Sequence, residues 1–101
     1  MYRGTTPTLT FSFAEFNPSE AEKIILTFVS NKQKWEYTEA DMTADLTSVS
    51  ITLTQEQTLS YPVGTLTAQL NFLMPDGARF VTKPNLIPVE RNFYDEVMDN
   101  G

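Results

Sequence analysis

The dominant pattern in this chain is the alternation of apolar and polar positions. From Gly64 to Met74, an apolar side chain recurs at every second residue, with threonine and amide side chains between. Residues 9–13 and 49–53 show the same alternation, with serine and threonine at the polar positions. A period of two with one polar face predicts strands that bury one face and leave the other in water. We therefore expect at least three half-buried strands.

Two further segments are predicted to form a hairpin. Residues 23–29 are apolar at both parities, which predicts a central strand covered on both faces. Residues 33–38 alternate, with Trp35 and Tyr37 at one parity and charged residues between them, and this pattern suggests the hairpin partner. Trp35 and Tyr37 are expected to face the core. If they faced outward, they would instead form a stacking platform for a sugar, typical of a carbohydrate-binding module.

Turn and cap residues predict where these strands are connected. Residues 54–57 read as a capping box that starts a single helical turn, and Pro62 ends it. Residues 75–77, Pro-Asp-Gly, predict a tight turn. Because Pro84 and Pro88 lack backbone donors, the last strand should be an edge strand or be broken between the prolines.

Together these elements predict an all-β fold. Six or so strands at intervals of nine to twelve residues favour a single antiparallel immunoglobulin-like β-sandwich of six to eight strands with one short helical turn. A chain of 101 residues has the length of one such domain. We expect residues 1–6 to form an N-terminal arm and residues 92–101 a C-terminal tail, in which Tyr94, Val97 and Met98 have helical spacing and predict one frayed turn.

Composition changes the functional expectation more than the fold. The chain has no cysteine and no histidine, which removes the commonest nucleophile–base pairs and metal ligands, so we expect no enzyme activity, no metal and no cofactor. A net charge of -6 disfavours direct binding to nucleic acid. Four of the acidic residues cluster in a segment expected to be a solvated loop, and they are the candidate acidic patch: Glu36, Glu39, Asp41 and Asp45.

The ends of the chain carry the candidate interface. Aromatic and apolar residues outside a core tend to anchor protein interfaces, and the candidates here are Tyr2, Arg3, Phe93, Tyr94, Val97 and Met98. The arm either begins the first strand or pairs with the sheet edge of another subunit. Phe16 and Tyr61 either close the ends of the sandwich or join the interface. The start of the chain has no signal-peptide pattern, and we expect no membrane association.

Several short motifs resemble one group of known proteins. The opening MYRGTTPT followed by alternating residues, the segment LTQEQTL at 53–59, Gly64 and Asp76-Gly77 are similar to small proteins of phages and prophages of Gram-positive, often gut, bacteria, in which an "LTQEET" segment recurs. This resemblance covers most of the chain. It implies a small β-sandwich associated with the tail or baseplate of a virion, and it carries no catalytic or ligand residue to this sequence.

Two functions of different class follow. The leading hypothesis is a non-enzymatic phage structural or accessory protein that docks to a virion protein (in the tail, baseplate or capsid) or to a copy of itself, through the arm and the tail. The alternative is an acidic phage effector in the bacterial host cytoplasm that inhibits a host defence protein, with the acidic patch mimicking phosphates. The expected location is accordingly the virion or the host cytoplasm.

Overall fold

A computed structural model describes residues 1–100, and strands dominate it. Apart from one short helix, α1 (Gln55–Leu59), and two 3-10 turns, Pro18–Glu20 and Glu39–Asp41, the regular structure is extended. The strands are β1 (Thr8–Ser12), β2 (Lys23–Ser30), β3 (Gln33–Thr38), β4 (Thr43–Ala44), β5 (Ser48–Thr52), β6 (Gly64–Leu73), β7 (Arg79–Val81) and β8 (Asn85–Val89).

These strands form two antiparallel sheets. One sheet has the order β1-β5-β4, and the other has the order β3-β2-β6, with β7 and β8 both paired to the far side of β6. In the immunoglobulin fold the sheets are A-B-E-D and C-F-G, with C′ added in variable domains. The order here matches B-E-D and C′-C-F-G, and within residues 1–100 no strand lies at the position of A, beside β1. The predicted immunoglobulin-like sandwich is confirmed.

The core lies between the two sheets and follows the predicted parities. Alternate residues of β6 are fully buried from Leu66 to Phe72, opposite the inward residues of β2, Leu26 and Phe28. Val49 and Ile51 enter the same core from β5. Burying an aliphatic or aromatic side chain stabilises a fold by about 1.5–3 kcal/mol, so this single cluster supplies the main force that holds the sheets together.

The central hairpin is partly as predicted. β2 is central in its sheet, but only one of its faces is covered: Ile25 is half-buried on the outer face, and Val29 is 43% exposed there. The prediction of two covered faces was wrong because the outer face of this sheet is open to solvent. Trp35 and Tyr37 of β3 face the core as predicted, and the Trp35 ring contacts Tyr61 edge-on at a centroid distance of 5.2 Å. The outward sugar platform therefore does not form.

The connections confirm the chemistry of the turn residues. Asn31 and Lys32 join β2 to β3 with φ of 49° and 66°, the left-handed pair of a two-residue hairpin turn. Gly77 has φ of 90° in the turn between β6 and β7. The last strand lies at the sheet edge, as predicted, but the alternative of a break between Pro84 and Pro88 was wrong: β8 pairs with β6 without interruption through Pro88, and the break lies at residues 82–84. There the Thr82 Oγ1 accepts from the Leu70 N–H at 3.0 Å.

The helix has the predicted start and end. The side chain of Thr54 accepts from the Gln57 N–H, and the Gln57 side chain accepts in return from the Thr54 N–H at 2.8 Å, a complete capping box. α1 ends at Leu59, two residues before the Tyr61-Pro62 step. No helix within residues 1–100 is long and apolar enough to cross a membrane.

Candidate docking surface

The N-terminal arm belongs to the fold of its own chain. Tyr2 forms a parallel bridge with Glu90, just beyond β8. The Arg3 N–H donates to the Glu90 carbonyl at 3.1 Å, and the Glu90 N–H donates to the Met1 carbonyl at 2.7 Å. The backbone of residues 1–3 thus extends the larger sheet, in parallel with its last strand. Residues 1–3 therefore pair with their own chain and not, as one alternative predicted, with the sheet edge of another subunit.

Arg3 ties the arm to the helix and the tail. Its Nε donates to the Tyr61 carbonyl at 2.8 Å, and its Nη2 donates to the Leu59 carbonyl. Its Nη1 donates to both carboxylate oxygens of Asp95, at 2.8 and 2.7 Å. The Arg3 carbonyl accepts from Asn92 Nδ2 at 2.8 Å. A planar guanidinium has donors for several such acceptors at once. Most of the donors of this candidate interface residue are therefore bonded within the chain.

The C-terminal tail runs along the helix without forming one. The predicted frayed turn was wrong: residues 91–100 contain bends but no helical turn. Instead, the side-chain amide of Gln55 bonds to the Met98 backbone as a neighbouring strand would. It accepts from the Met98 N–H at 2.7 Å and donates to the Met98 carbonyl at 3.1 Å. These tertiary hydrogen bonds hold the tail in a non-helical conformation, although its apolar residues have helical spacing.

The remaining interface candidates are exposed at this end of the molecule. The exposed fraction of the side chain is 94% for Phe93, 68% for Met98, 56% for Tyr94, 55% for Tyr2 and 39% for Val97. We call these five residues the terminal surface. A concavity of about 470 Å³ adjoins it, lined by Arg3, Val63, Arg91, Asn92, Phe93 and Asp95. The guanidinium of Arg91 lies 5.7 Å from the centroid of the Phe93 ring.

A buried tyrosine pair adjoins the backbone that Arg3 contacts. Tyr61 is fully buried, so it closes the end of the sandwich rather than joining an interface. Its hydroxyl is hydrogen-bonded to the hydroxyl of Tyr37. Burial raises the pKa of Tyr61 well above its usual value, and burial also raises the pKa of Tyr37. Both phenols therefore stay neutral to a higher pH than an exposed tyrosine would, and Arg3 fixes the Tyr61 backbone through its bond to the Tyr61 carbonyl.

The candidate acidic patch is mainly engaged in local structure. Asp41 accepts from the Thr38 N–H at 3.0 Å, and Glu36 forms an ion pair with Lys34 at 3.1 Å. Glu39 and Asp41 share one 3-10 turn. Among residues 1–100, no three acidic side chains converge as metal ligands would.

Asp45 shapes the turn that precedes β5. Its Oδ1 accepts from the N–H groups of Thr47 and Ser48, each at 3.0 Å, and from the Ser48 hydroxyl at 3.1 Å. The bond from Thr47, followed by those from Ser48, lowers the pKa of the Asp45 carboxyl. This carboxylate therefore has a structural role in the turn.

A second surface feature was not foreseen from the sequence. Where the last strand breaks, the sandwich opens into a cleft of about 560 Å³ between β1 and the β7–β8 edge. Phe16 contacts Phe72 and Phe80 edge-on, with centroid distances of 4.8 and 5.5 Å, and Phe80 is 50% exposed. Phe16 thus lies at an open end of the core. The prolines indicated an irregular last strand but not the position of its break, and the opening depends on which strands face each other across the sandwich.

The comparison with known proteins gives no relative from which a function could be transferred. No family model, no curated protein and no solved structure matches this chain.

Proposed function

We propose that this chain is a non-enzymatic phage structural or accessory protein, a β-sandwich module that docks to another virion protein through its terminal surface. The observation that carries the proposal is the exposure of Phe93 at 94%, together with Met98, Tyr94 and Tyr2, at one end of the fold. The motif resemblance to small phage proteins supplies the virion context.

The terminal surface has the composition of a protein interface. Aromatic and methionine side chains are enriched at the centres of interfaces, where polar and charged groups form the rim. Here Phe93 and Met98 are the exposed apolar anchors, and Arg91 and the Arg3–Asp95 pair lie beside Phe93. An apolar pocket with acidic groups at its edge, on the partner, would complement this arrangement.

The terminal surface is also held in place before any partner arrives. Arg3 joins the arm to the tail through Asp95, and Gln55 holds the Met98 backbone through both its N–H and its carbonyl. Ordering a flexible segment on binding costs free energy, and a segment already fixed in position avoids part of that cost. The hydrogen bonds of the tail thus favour docking without contacting the partner.

Quantitative mass spectrometry of purified virions tests this proposal. We expect a reproducible copy number per particle for the native protein. Phe93→Ser/Met98→Ser should abolish incorporation, because the two apolar anchors are lost. The matched control is Leu46→Ser/Leu86→Ser, which removes two other apolar side chains that are largely exposed, at 70% and 72%, and it should be incorporated normally.

Two results would contradict the proposal. Absence of the native protein from particles, with the protein abundant in infected cells, would contradict the structural role. Equal incorporation of both double variants would instead contradict docking through the terminal surface. In both variants the replaced side chains lie largely in solvent, so folding is unaffected and circular dichroism should verify this.

A further inference from the structure

β1 differs from β3 and from the β7–β8 edge because nothing protects it. Exposed edge strands are usually blunted by charged side chains, prolines or covering segments. β3 carries Lys34 and Glu36, and the β7–β8 edge carries Pro84 and Pro88 and is flanked by the arm. Residues 8–14, which include β1, contain no charged residue and no proline.

The backbone of β1 has unused hydrogen-bonding groups along its outer edge. The Phe13 N–H donates to Thr47, and the Pro7 carbonyl accepts from Leu53, so odd-numbered residues form the ladder to β5. The N–H and carbonyl groups of the even-numbered residues Thr8, Thr10 and Ser12 therefore point away from β5, toward the open side of the sheet. Among residues 1–100, nothing bonds to these backbone groups.

The apolar cleft lies directly under this free edge. Thr10 and Ser12 are on its rim, and Phe11 and Phe13 contribute to its wall. The edge is also where strand A of an immunoglobulin-like sheet would pair with its neighbour, here β1. A strand added at this position would satisfy the backbone groups and would place its inward side chains over the cleft.

The hydroxyl side chains at positions 8, 10 and 12 make β1 self-complementary about Thr10, which favours a second copy of this chain as the source of the added strand. Copies with a net charge of -6 repel each other, so they can meet closely only across a neutral region. The outer face of the β1-β5-β4 sheet is such a region, because every outward side chain is a hydroxyl: Thr8, Thr10, Ser12, Thr43, Ser48, Ser50 and Thr52. A sheet extended through β1 would therefore bring together two uncharged faces.

We propose that two copies of this chain associate by antiparallel pairing of their β1 strands about a two-fold axis at Thr10, which joins their smaller sheets into one. Thr10 then faces Thr10 of the second copy, and Thr8 faces Ser12. Each of these pairs exchanges both N–H···O bonds, which uses the free backbone groups. Inside the sandwich, Leu9 of one copy lies next to Phe11 of the other, over the cleft.

The hydroxyl side chains already show the contact that this pairing would repeat. Thr8 and Thr52 are joined by a hydrogen bond of 2.7 Å between their Oγ1 atoms, and Thr10 is joined to Ser50 at 3.1 Å. Cross-strand hydroxyl pairs of this kind stabilise antiparallel sheets. Thr8 opposite Ser12 of the second copy would continue the same ladder.

A pair of charge variants tests the register and the symmetry together. We expect the native chain to sediment as a dimer. Thr8→Glu/Ser12→Glu places like charges opposite each other across the axis and should raise the dimer Kd roughly tenfold to a hundredfold. Thr8→Lys/Ser12→Glu changes the same two positions but places opposite charges together, and it should restore dimerisation.

Further controls separate this pairing from general effects of charge. Thr43→Glu adds negative charge to the same face on β4, the strand farthest from the free edge, and should stay dimeric. Equal Kd values for the two edge variants would overturn the proposal, as would a native chain that is monomeric at roughly 100 µM. The β1 edge is separate from the terminal surface, so loss of dimerisation and loss of virion incorporation are distinguishable.

Discussion

The two ends of the core are built from the same aromatic contacts but differ in how they are closed. At one end, Tyr61 lies edge-on to Phe28 and Trp35, with centroid distances of 5.5 and 5.2 Å, and is fully buried. At the other end, Phe16 lies edge-on to Phe72 and Phe80 at 4.8 and 5.5 Å, yet Phe80 is half exposed.

Polar partners account for this difference. The Tyr61 hydroxyl is bonded to Tyr37 and the Tyr61 carbonyl to Arg3, so the chain itself covers the closed end. The open end has no comparable cover because the last strand breaks beside it and the sheet with β1 ends above it. Similar aromatic contacts therefore occur at a closed end of the core, around Tyr61, and at an open cleft, around Phe16.

The largest expected effect is the loss of the closed end. Tyr61→Ala removes a fully buried aromatic side chain and should lower the free energy of unfolding by about 3–5 kcal/mol. Phe80→Ala is the matched change at the open end and should cost only about 1 kcal/mol, because half of that side chain is already in water. Urea denaturation measures both values. Equal costs would contradict the distinction between the two ends.

Removing Arg3 should have the next largest effect. Arg3→Ala leaves the carbonyls of Leu59 and Tyr61 without their donors and should destabilise the fold by about 1–3 kcal/mol. Asp95→Ala removes only the ion pair with a half-exposed carboxylate and should cost less than about 1 kcal/mol. Thermal unfolding of the two variants distinguishes these contributions. A larger loss from Asp95→Ala would assign the role of Arg3 to its ion pair.

The tyrosine pair should affect stability only at alkaline pH. The pKa values of Tyr37 and Tyr61 are raised in the folded state, so the unfolded chain loses phenol protons first, from about pH 10. Stability from this source is complete below pH 10 and falls above it, by up to about 1.4 kcal/mol per pH unit for each tyrosine. Tyr37→Phe/Tyr61→Phe should flatten that fall. Urea denaturation between pH 9 and 11 tests this, and an unchanged slope in the double variant would contradict it.

Local patterns predicted the parts of the fold that depend on local chemistry. The alternation of β6 follows from having one covered face, and the capping box at Thr54 and the turn at Gly77 require only neighbouring residues. Pro84 and Pro88 predicted an edge position for the last strand for the same reason, but they did not predict where it breaks, at residues 82–84. Each of these features is set by side chains within a few positions of the backbone that they shape.

The features missed from the sequence depend on distant contacts. Val29 is apolar yet lies on an open face, because only the strand's position in the sandwich decides which face is covered. The tail adopts no helical turn because Gln55 captures the Met98 backbone. Arg3 was predicted as an interface residue, and nothing local links it to Leu59, Tyr61 and Asp95. Its isolation is the one sequence signal of a structural role: Arg3 is the first basic side chain, and the next, Lys23, follows twenty positions later.

The two-residue turn at Asn31 and Lys32 also bears on the order in which the fold assembles. It lets β2 and β3 meet after closing a minimal loop, whereas β1 must find β5 across the whole hairpin, with Thr8 pairing to Thr52. Short loops close at lower entropic cost than long ones. We expect the β2–β3 hairpin to be an early structure in folding and the smaller sheet a late one, so β1 stays unpaired on both sides until near the end.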